Sequence, residues 1–449
     1  MSRPQRIGHA RRAYNKWVAD QTLEDFSLRF TATEARKSPF RIGNTALGAI
    51  AFLACESIGG TLSLAYGVPN VIVAVIAMTV LTFALGLPVV YHAAKAGVDI
   101  DLLSRGAGFG YLGSTITSLI YASFTFVLFS IDARIMSAAL TMVWGIPLWL
   151  AHMISALVVF PFAAFGVRII SRMQIATQPV WLLLQIAPLV YIAVAGHAEI
   201  PGWIGFSGHW QGPGAISLLG FGAAFSILLS LLPQIGEQVD YLRFLPPETR
   251  HNRTRWWAAM LISGPGWVWI GGLKILLGSF LTYLALNAGL SEDRAVQPAE
   301  IYNLAFLNLL HSPGVALALT GVFVVVCQVK IDVTNAYAGS IAWSNFFSRL
   351  THSHPGRVVW MVFNVLLALL LMESGVFSII EGMLSLYANL AVGWMGALVA
   401  DLMVNKPLGL SPKRIEFKRA HLYDINPVGT GAMALSVAVS TACFFGLFG

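Results

Sequence analysis

Two polar segments interrupt otherwise apolar stretches of this sequence, and each contains a carboxylate. The first is residues 55–60, CESIGG, with Glu56, and the second is residues 233–238, PQIGEQ, with Glu237. Proline removes a backbone donor and glycine loosens the backbone, so both segments favour a break in a helix. An acid inside a membrane is costly unless a partner, a cation or water receives it. The segments therefore indicate sites for a cation or a proton; the alternatives are close packing at the glycines and a simple kink at the proline.

The surrounding sequence is that of a membrane protein. Of its 449 residues, 57% are hydrophobic and 11% are charged, whereas soluble domains carry about 25% charged residues. A membrane helix needs about 20 mainly apolar residues. Such runs predict eleven spans, which we number in chain order: residues 44–66, 70–94, 113–142, 146–167, 174–196, 214–242, 256–288, 313–348, 357–373, 376–403 and 428–448.

The basic residues predict the orientation of these spans. Nine lysines and arginines precede residue 44, and every second connection after it is basic, whereas the intervening connections contain only Arg294. The positive-inside rule then places the N-terminus in the cytoplasm, with the chain in the cell inner (plasma) membrane. The net charge of +7 thus reflects topology, so the expected partner is the lipid bilayer and no nucleic acid.

These features divide the chain into four parts. We expect a cytoplasmic arm (1–43), a ten-helix transporter core (44–403), a cytoplasmic loop (404–427) and an additional C-terminal helix (428–449). Because the last apolar run stops at Gly449 without a polar anchor, the sequence is expected to be truncated, with a twelfth span or a further domain beyond it.

The two interrupted spans stand five spans apart, as spans 1 and 6. Transporters built from two inverted repeats of five helices unwind the first helix of each repeat at a binding site in the middle of the membrane. The sequence therefore predicts an all-α polytopic membrane protein with a five-plus-five inverted-repeat fold of the leucine-transporter type. Alternating access between the two repeats is the mechanism this fold favours.

Five short motifs resemble those of the nucleobase:cation symporter-1 family, which includes purine, cytosine and hydantoin permeases. The resemblance implies a secondary transporter of a small nitrogenous compound, nucleobase-related or cationic, driven by a sodium or proton gradient, with no other cofactor. The motifs occur in the family's order: residues 59–62 (GGTL), 102–110 (LLSRGAGFG), 240–244 (DYLRF), 334–337 (TNAY) and 400–405 (ADLMVN).

Carried over by position, the resemblance implies a substrate site on spans 1, 3, 6 and 8. The family commonly stacks a flat ring on a tryptophan of span 3 and binds its edge with a glutamine, whereas this chain has Leu128 and Thr125 there. Asp132 shares their helix face, which would bring it near Glu56 and Glu237. Three converging carboxylates favour a cationic substrate or a bound proton; an ion pair of Asp132 with Arg134 or another buried base is the alternative. The implied site residues are Cys55, Glu56, Ser57, Phe124, Thr125, Leu128, Asp132, Gln234, Glu237 and Asn335.

The resemblance also implies an ion-coupling site on span 8, at Lys330, Asp332 and Thr334. A lysine ammonium can take the place of a sodium ion, while Asp332 could bind sodium or a proton; a structural bridge from Lys330 to Asp332 or Asp401 is the alternative. Arg105 and residues 240–243 are candidates for gating pairs at helix ends.

A second functional class stays open at this point. Permease-like domains of this type also occur fused to histidine kinases, so the chain could be a membrane domain that senses a ligand and signals to a C-terminal kinase. An enzyme is not expected, because no nucleophile–base pair or metal-ligand cluster occurs in the spans. The three cysteines are far apart in apolar runs and are expected to be packing residues.

Overall fold

The computed structural model describes residues 24–194, 196–212, 214–374 and 377–447, and the regular secondary structure among them is entirely helical. Eight of its helices are long and apolar enough to cross a membrane, or up to nine if a bent pair counts as one span. This confirms the prediction of a polytopic α-helical membrane protein. The basic residues before position 24 and the chain end at Gly449 lie outside the described residues.

A helix or a pair of helices occupies each predicted span. Span 8 is the longest, and spans 1, 4, 6 and 7 are each divided in two. The bounds in chain order are Pro39–Gly48 with Ala54–Tyr66, Val68–Ala96, Ser114–Trp144, Leu148–Leu157 with Phe160–Ala163, Val167–Val194, Leu218–Leu229 with Gln234–Leu242, Arg253–Ser263 with Trp267–Asn287, Pro313–Thr351, Arg357–Glu373, Phe377–Ala400 and Pro427–Phe444.

Both predicted breaks are present, a few residues before the expected positions. In span 1, a short 3-10 turn, Ala49–Ala51, ends the first helix, and the second helix starts at Ala54 after a bend of 40°. In span 6, turn residues separate Leu229 from the second helix, which follows Pro233. Glu56 and Glu237 each lie in the first turn of the helix after the break, where the partial positive charge of a helix N-terminus favours an anion.

Glycine contacts hold the second half of span 1 against span 7. A Cβ atom added to Gly59 would lie 1.9 Å from the Ile275 carbonyl oxygen, and one added to Gly278 would lie 2.2 Å from the Glu56 Cα atom. Neither distance is compatible with a side chain larger than hydrogen. Gly59 therefore allows close helix packing, as in the alternative considered for the CESIGG segment, while the break itself lies at residues 52–53.

The connection between spans 7 and 8 forms two helices, Glu292–Ala295 and Pro298–Leu310. The second of these packs on spans 5, 7 and 8 and also contacts span 1. Span 3 packs along span 8, and span 1 packs along span 7. The acids of spans 1, 3, 6 and 8 lie in the interior, where these spans pack on one another.

Candidate functional site

Three buried carboxylates, one from each of three spans, interact electrostatically inside the protein. Asp132 of span 3, Glu237 of span 6 and Asp332 of span 8 have no solvent exposure, and they lie within electrostatic range of one another. We call these three residues the acidic cluster. Asp132 Oδ2, Glu237 Oε1 and both oxygens of Asp332 have no hydrogen-bond partner. Buried acids with free oxygens require a proton or a cation to compensate them.

Two members of the acidic cluster, Asp132 and Glu237, each accept a hydrogen bond from one glutamine side chain, and Asp332 accepts none. Gln328 Nε2 donates to Asp132 Oδ1 over 3.0 Å, and Gln234 Nε2 donates to Glu237 Oε2. Gln328 Oε1 also accepts the Leu53 amide over 3.2 Å, at the break of span 1. The polar atoms of Gln328 thus join the acidic cluster to the unwound part of span 1.

Asn335 provides an unused polar group beside the acidic cluster. It follows Asp332 by three residues on span 8, and residues spaced by three share a helix face. Its side chain is fully buried, and neither its amide nitrogen nor its amide oxygen has a partner. Because buried polar groups are nearly always hydrogen-bonded in folded proteins, this amide indicates a place for a polar ligand.

Glu56 does not belong to the acidic cluster as a free carboxylate. Lys274 Nζ of span 7 lies 2.9 Å from Glu56 Oε1, and the Tyr302 hydroxyl donates to the same oxygen over 2.8 Å. Gln185 Nε2 of span 5 donates to the Tyr302 hydroxyl over 2.7 Å. The sequence predicted that Glu56, Asp132 and Glu237 converge. In the structure Glu56 is paired with an ammonium instead, and Asp332, which was predicted to bind a coupling ion, lies within electrostatic range of Asp132 and Glu237.

The three residues expected to bind a coupling ion do not meet at one point. Lys330 Nζ turns to span 5, where it donates to the Gln174 carbonyl, the Thr177 hydroxyl and the Gln178 side-chain oxygen at 3.0–3.2 Å. Thr334 accepts the Tyr241 hydroxyl over 3.1 Å. Of the three, Asp332 alone lies in the acidic cluster. The bridges considered for Lys330 are replaced by these contacts.

Asp132 and Asp401 also have other partners than the sequence suggested. Asp132 accepts from Gln328 and is fully buried, whereas Arg134 is exposed to the surroundings of span 3. Asp401 pairs with Lys406 over 3.3 Å at the end of span 10. The spacing explains the first outcome, because residues two apart on a helix do not share a face.

The remaining expected site residues differ in their burial and in their partners. Cys55 and Leu128 are buried, and Ser57 is partly exposed. Phe124 stacks on Tyr387 of span 10 with ring centroids 6.5 Å apart. The Thr125 hydroxyl donates to the Ala122 carbonyl and to Asn364 Oδ1 of span 9. The Thr125 hydroxyl is therefore already used in hydrogen bonds outside the acidic cluster, and the Phe124 ring already packs on another aromatic side chain of the chain.

Sequence reasoning did not find Lys274, Gln185, Tyr302 or Gln328. Lys274 is a single charge in the apolar run Trp267–Asn287. Because intramembrane charges usually pair with one another, the sequence could have indicated this lysine as the partner of Glu56. Gln185 and Gln328 are neutral, and Tyr302 lies in a connection between spans, so no sequence pattern distinguishes them.

The face of the protein near the described N-terminal residues is closed by a hydrogen-bonded network. The Tyr337 hydroxyl donates to Glu24 Oε1 over 2.6 Å and accepts from Arg243 over 3.2 Å. Arg243 also pairs with Asp99 Oδ2 over 3.2 Å, with both side chains fully buried. Glu24 Oε2 accepts the Val167 amide over 2.7 Å. This network joins the segment before span 1 to spans 5, 6 and 8.

A second set of contacts continues the closure. Arg105 donates to Asn345 Oδ1 over 3.0 Å, and Asn345 donates to the Ser27 carbonyl over 2.7 Å. The residues named from sequence as gating candidates, Arg105 and Arg243, thus both participate in closing this face. The three acids of the acidic cluster have no exposed surface.

Broken spans 1 and 6, with buried polar groups between them, define the five-plus-five inverted-repeat transporter fold, as predicted. Comparison with known proteins agrees. No protein-family model and no curated protein matches the sequence, but solved structures match. One is Mhp1, a nucleobase-cation-symport-1 family transporter in a closed conformation with bromovinylhydantoin bound. Its TM-score is 0.68 and its sequence identity 17%, over 93% of this chain and 90% of that chain.

Two further structures share the fold. A Na+-coupled sialic acid symporter in a substrate-bound outward-open state has a TM-score of 0.62 at 12% identity, covering 98% of both chains. A mutant manganese transporter of Eremococcus coleocola has a TM-score of 0.53 at 15% identity, covering 90% of this chain and 87% of that one. All three are transporters rather than enzymes. At these identities the likeness shows the fold, so the cargo has to be argued from the site.

Proposed function

We propose that this chain is a secondary transporter that works by alternating access and carries a small nitrogen compound with a positive charge. The observation that supports this is the acidic cluster, whose three carboxylates are buried and have oxygens without a partner. A protonated amine or a guanidinium would compensate their charge and donate to those oxygens. Asn335 supplies a further donor and acceptor on the same side.

The proposed cargo departs from the flat neutral rings that the sequence resemblance suggests. A neutral nucleobase would leave the acids uncompensated, so it would require protons on the cluster. The described cation in electrostatic range of Asp132 is Lys274, which is already paired with Glu56. We therefore infer that the chain derives from the nucleobase:cation symporters but binds a cation in the place of a nucleobase.

The proposed orientation follows the basic residues of the sequence. Under the positive-inside rule, the face closed by Glu24, Tyr337 and Arg243 is cytoplasmic, and the chain lies in the inner membrane. The helix Pro298–Leu310 then lies against the outer half of span 1, where Tyr302 bonds Glu56. In this arrangement the closed inner face and the buried cluster correspond to an occluded state of the transport cycle.

The test is binding to purified protein, measured as the shift in unfolding temperature with a panel of guanidinium, polyamine, quaternary ammonium and nucleobase compounds. We expect a cationic compound to bind the wild type. Glu237→Gln and Asp332→Asn should each weaken it by about 30-fold or more, because removing one partner of a buried charged pair costs about 2–5 kcal/mol and 1.4 kcal/mol is tenfold.

Glu292→Gln is the matched control, since Glu292 is half exposed and pairs with His209 outside the spans. It should leave the affinity unchanged. Binding of a cationic compound that Glu237→Gln and Asp332→Asn both leave unchanged would reject the proposed site.

A further inference from the structure

The ammonium of Lys274 is enclosed by oxygen atoms from three parts of the chain. Its Nζ atom lies 2.9 Å from Glu56 Oε1, 3.2 Å from Gln185 Oε1 and 3.3 Å from the Ala51 carbonyl oxygen. The side chain is 3% exposed. A lysine ammonium has three donors, so all three are used.

One of these oxygens belongs to the break of span 1. Ala51 ends the 3-10 turn before residues 52–53, where the helix is interrupted. The carbonyl oxygens of such unwound segments are free of intrahelical bonds, and transporters of this architecture use them to coordinate coupling ions. A carboxylate, an amide oxygen and a backbone carbonyl are also the ligands that hard metal cations prefer.

We propose that the Lys274 ammonium is a tethered cation that permanently occupies a monovalent cation site between spans 1, 5 and 7. The oxygens of Ala51, Glu56 and Gln185 form this site, and Tyr302 closes it by bonding Glu56. The chain thus supplies from its own side chain the charge that a sodium ion would bring, and sodium does not bind here in the wild type. The effect of this tethered cation on transport coupling rests on the proposed function. The existence of the cation site does not.

Lys330 shows that this arrangement is specific to Lys274. Lys330 is also buried and also donates to three oxygens. Its partners are a carbonyl, a hydroxyl and an amide of span 5, without a carboxylate and without an atom of a broken span. Removal of Lys330 would leave neutral dipoles, whereas removal of Lys274 would leave a buried anion among oxygen ligands. Only the second situation attracts a metal cation strongly.

The neighbourhood of Lys274 contains further groups that respond to its charge. Cys55 and Cys327 are buried nearby, and Asp132 lies within its electrostatic range. Asp132 belongs to the acidic cluster, so the Lys274 ammonium in the cation site also acts electrostatically on the proposed cargo site. A fixed positive charge at this position affects the electrostatics of both sites, and it does so independently of the sodium gradient.

The experiment measures the unfolding temperature of purified protein in NaCl, LiCl, KCl or N-methylglucamine chloride at constant ionic strength. The wild type should not respond to the choice of cation. Lys274→Ala opens the site, so it should have a lower unfolding temperature in N-methylglucamine and recover, with saturation, in at least one alkali cation. Lys274→Ala with Glu56→Gln should lose this response, and Lys330→Ala, the matched control, should not show it.

Two results would overturn the proposal. One is folded Lys274→Ala protein that responds to none of the three alkali cations. The other is binding of radioactive sodium to the wild type that Glu56→Gln abolishes; this measurement decides the question even if Lys274→Ala does not fold. Neither uses the transported compound, so the outcome is separate from the test of the cargo with Glu237→Gln.

Discussion

The closure of the N-terminal face gives a prediction that can be worked from individual contacts. Tyr337→Phe removes one hydroxyl, which bridges Glu24 and Arg243. The ring remains stacked on Tyr241, whose centroid is 5.6 Å away. The substitution therefore tests the hydrogen bonds without opening a cavity.

The size of the effect follows from what each partner retains. A hydrogen bond contributes about 0.5–1.5 kcal/mol net, and its loss costs more where a buried charged group is left without a partner. Glu24 keeps the Val167 amide, and Arg243 keeps Asp99 and the Phe26 carbonyl, so neither charge is left without a partner. We therefore expect a loss of about 2 kcal/mol for both bonds together, which corresponds to a roughly 30-fold shift in the opening equilibrium.

Hydrogen exchange of the segment before span 1 measures this opening. The Thr31 amide donates to the Gly97 carbonyl over 2.7 Å, so it exchanges when the segment detaches. Tyr337→Phe should accelerate its exchange about 30-fold. Tyr387→Phe is the control, because it removes a buried hydroxyl bonded to the Ile120 carbonyl between spans 3 and 10. Exchange within about threefold of wild type in Tyr337→Phe, or equal acceleration by the control, would refute the reasoning.

Three further substitutions test the interior. Gly278→Ala places a Cβ atom 2.2 Å from Glu56 and should destabilise the protein by about 1–3 kcal/mol, read as a lower unfolding temperature, whereas Gly222→Ala, with no atom within 4 Å, should not. Glu56→Gln leaves Lys274 without its carboxylate and should lower the free energy of unfolding by about 3–5 kcal/mol. The double variant Glu56→Gln with Lys274→Met should recover part of this loss. Fully additive effects of the two substitutions would contradict the ion pair. Thr125→Val should lower the unfolding temperature but leave ligand affinity unchanged, because the Thr125 hydroxyl is bonded to span 9. A loss of ligand affinity without a change in unfolding temperature would instead place Thr125 in the site.

The breaks and the fold were predictable because their causes are local. Proline at 233 cannot donate to the preceding turn, and it tolerates the position just before a helix. Two such interruptions five spans apart already indicate an inverted repeat. The exact place of the first break was not predictable, because Gly59 allows a close approach of span 7, and that contact depends on the partner helix.

The pairing of charges was the part that sequence could not supply. Glu56 and Glu237 occupy equivalent positions after their breaks, so the sequence treats them alike. Their environments differ because Lys274 lies on the helix that packs against span 1, while Glu237 faces other acids. Only the packing of spans assigns one acid to an ion pair and the other to a free site.

The central claim is that the acidic cluster receives a positive charge from the cargo. The most direct measurement compares compounds of equal shape and different charge, such as phenylguanidinium with phenylurea, or a diamine with the corresponding diol. The readout is the unfolding temperature of the wild type and of Asp332→Asn with each compound. We expect stabilisation by at least one cationic member, none by its neutral counterpart, and loss of the difference in Asp332→Asn. Stabilisation by a neutral compound or a nucleobase alone, unchanged in Asp332→Asn, would contradict the account.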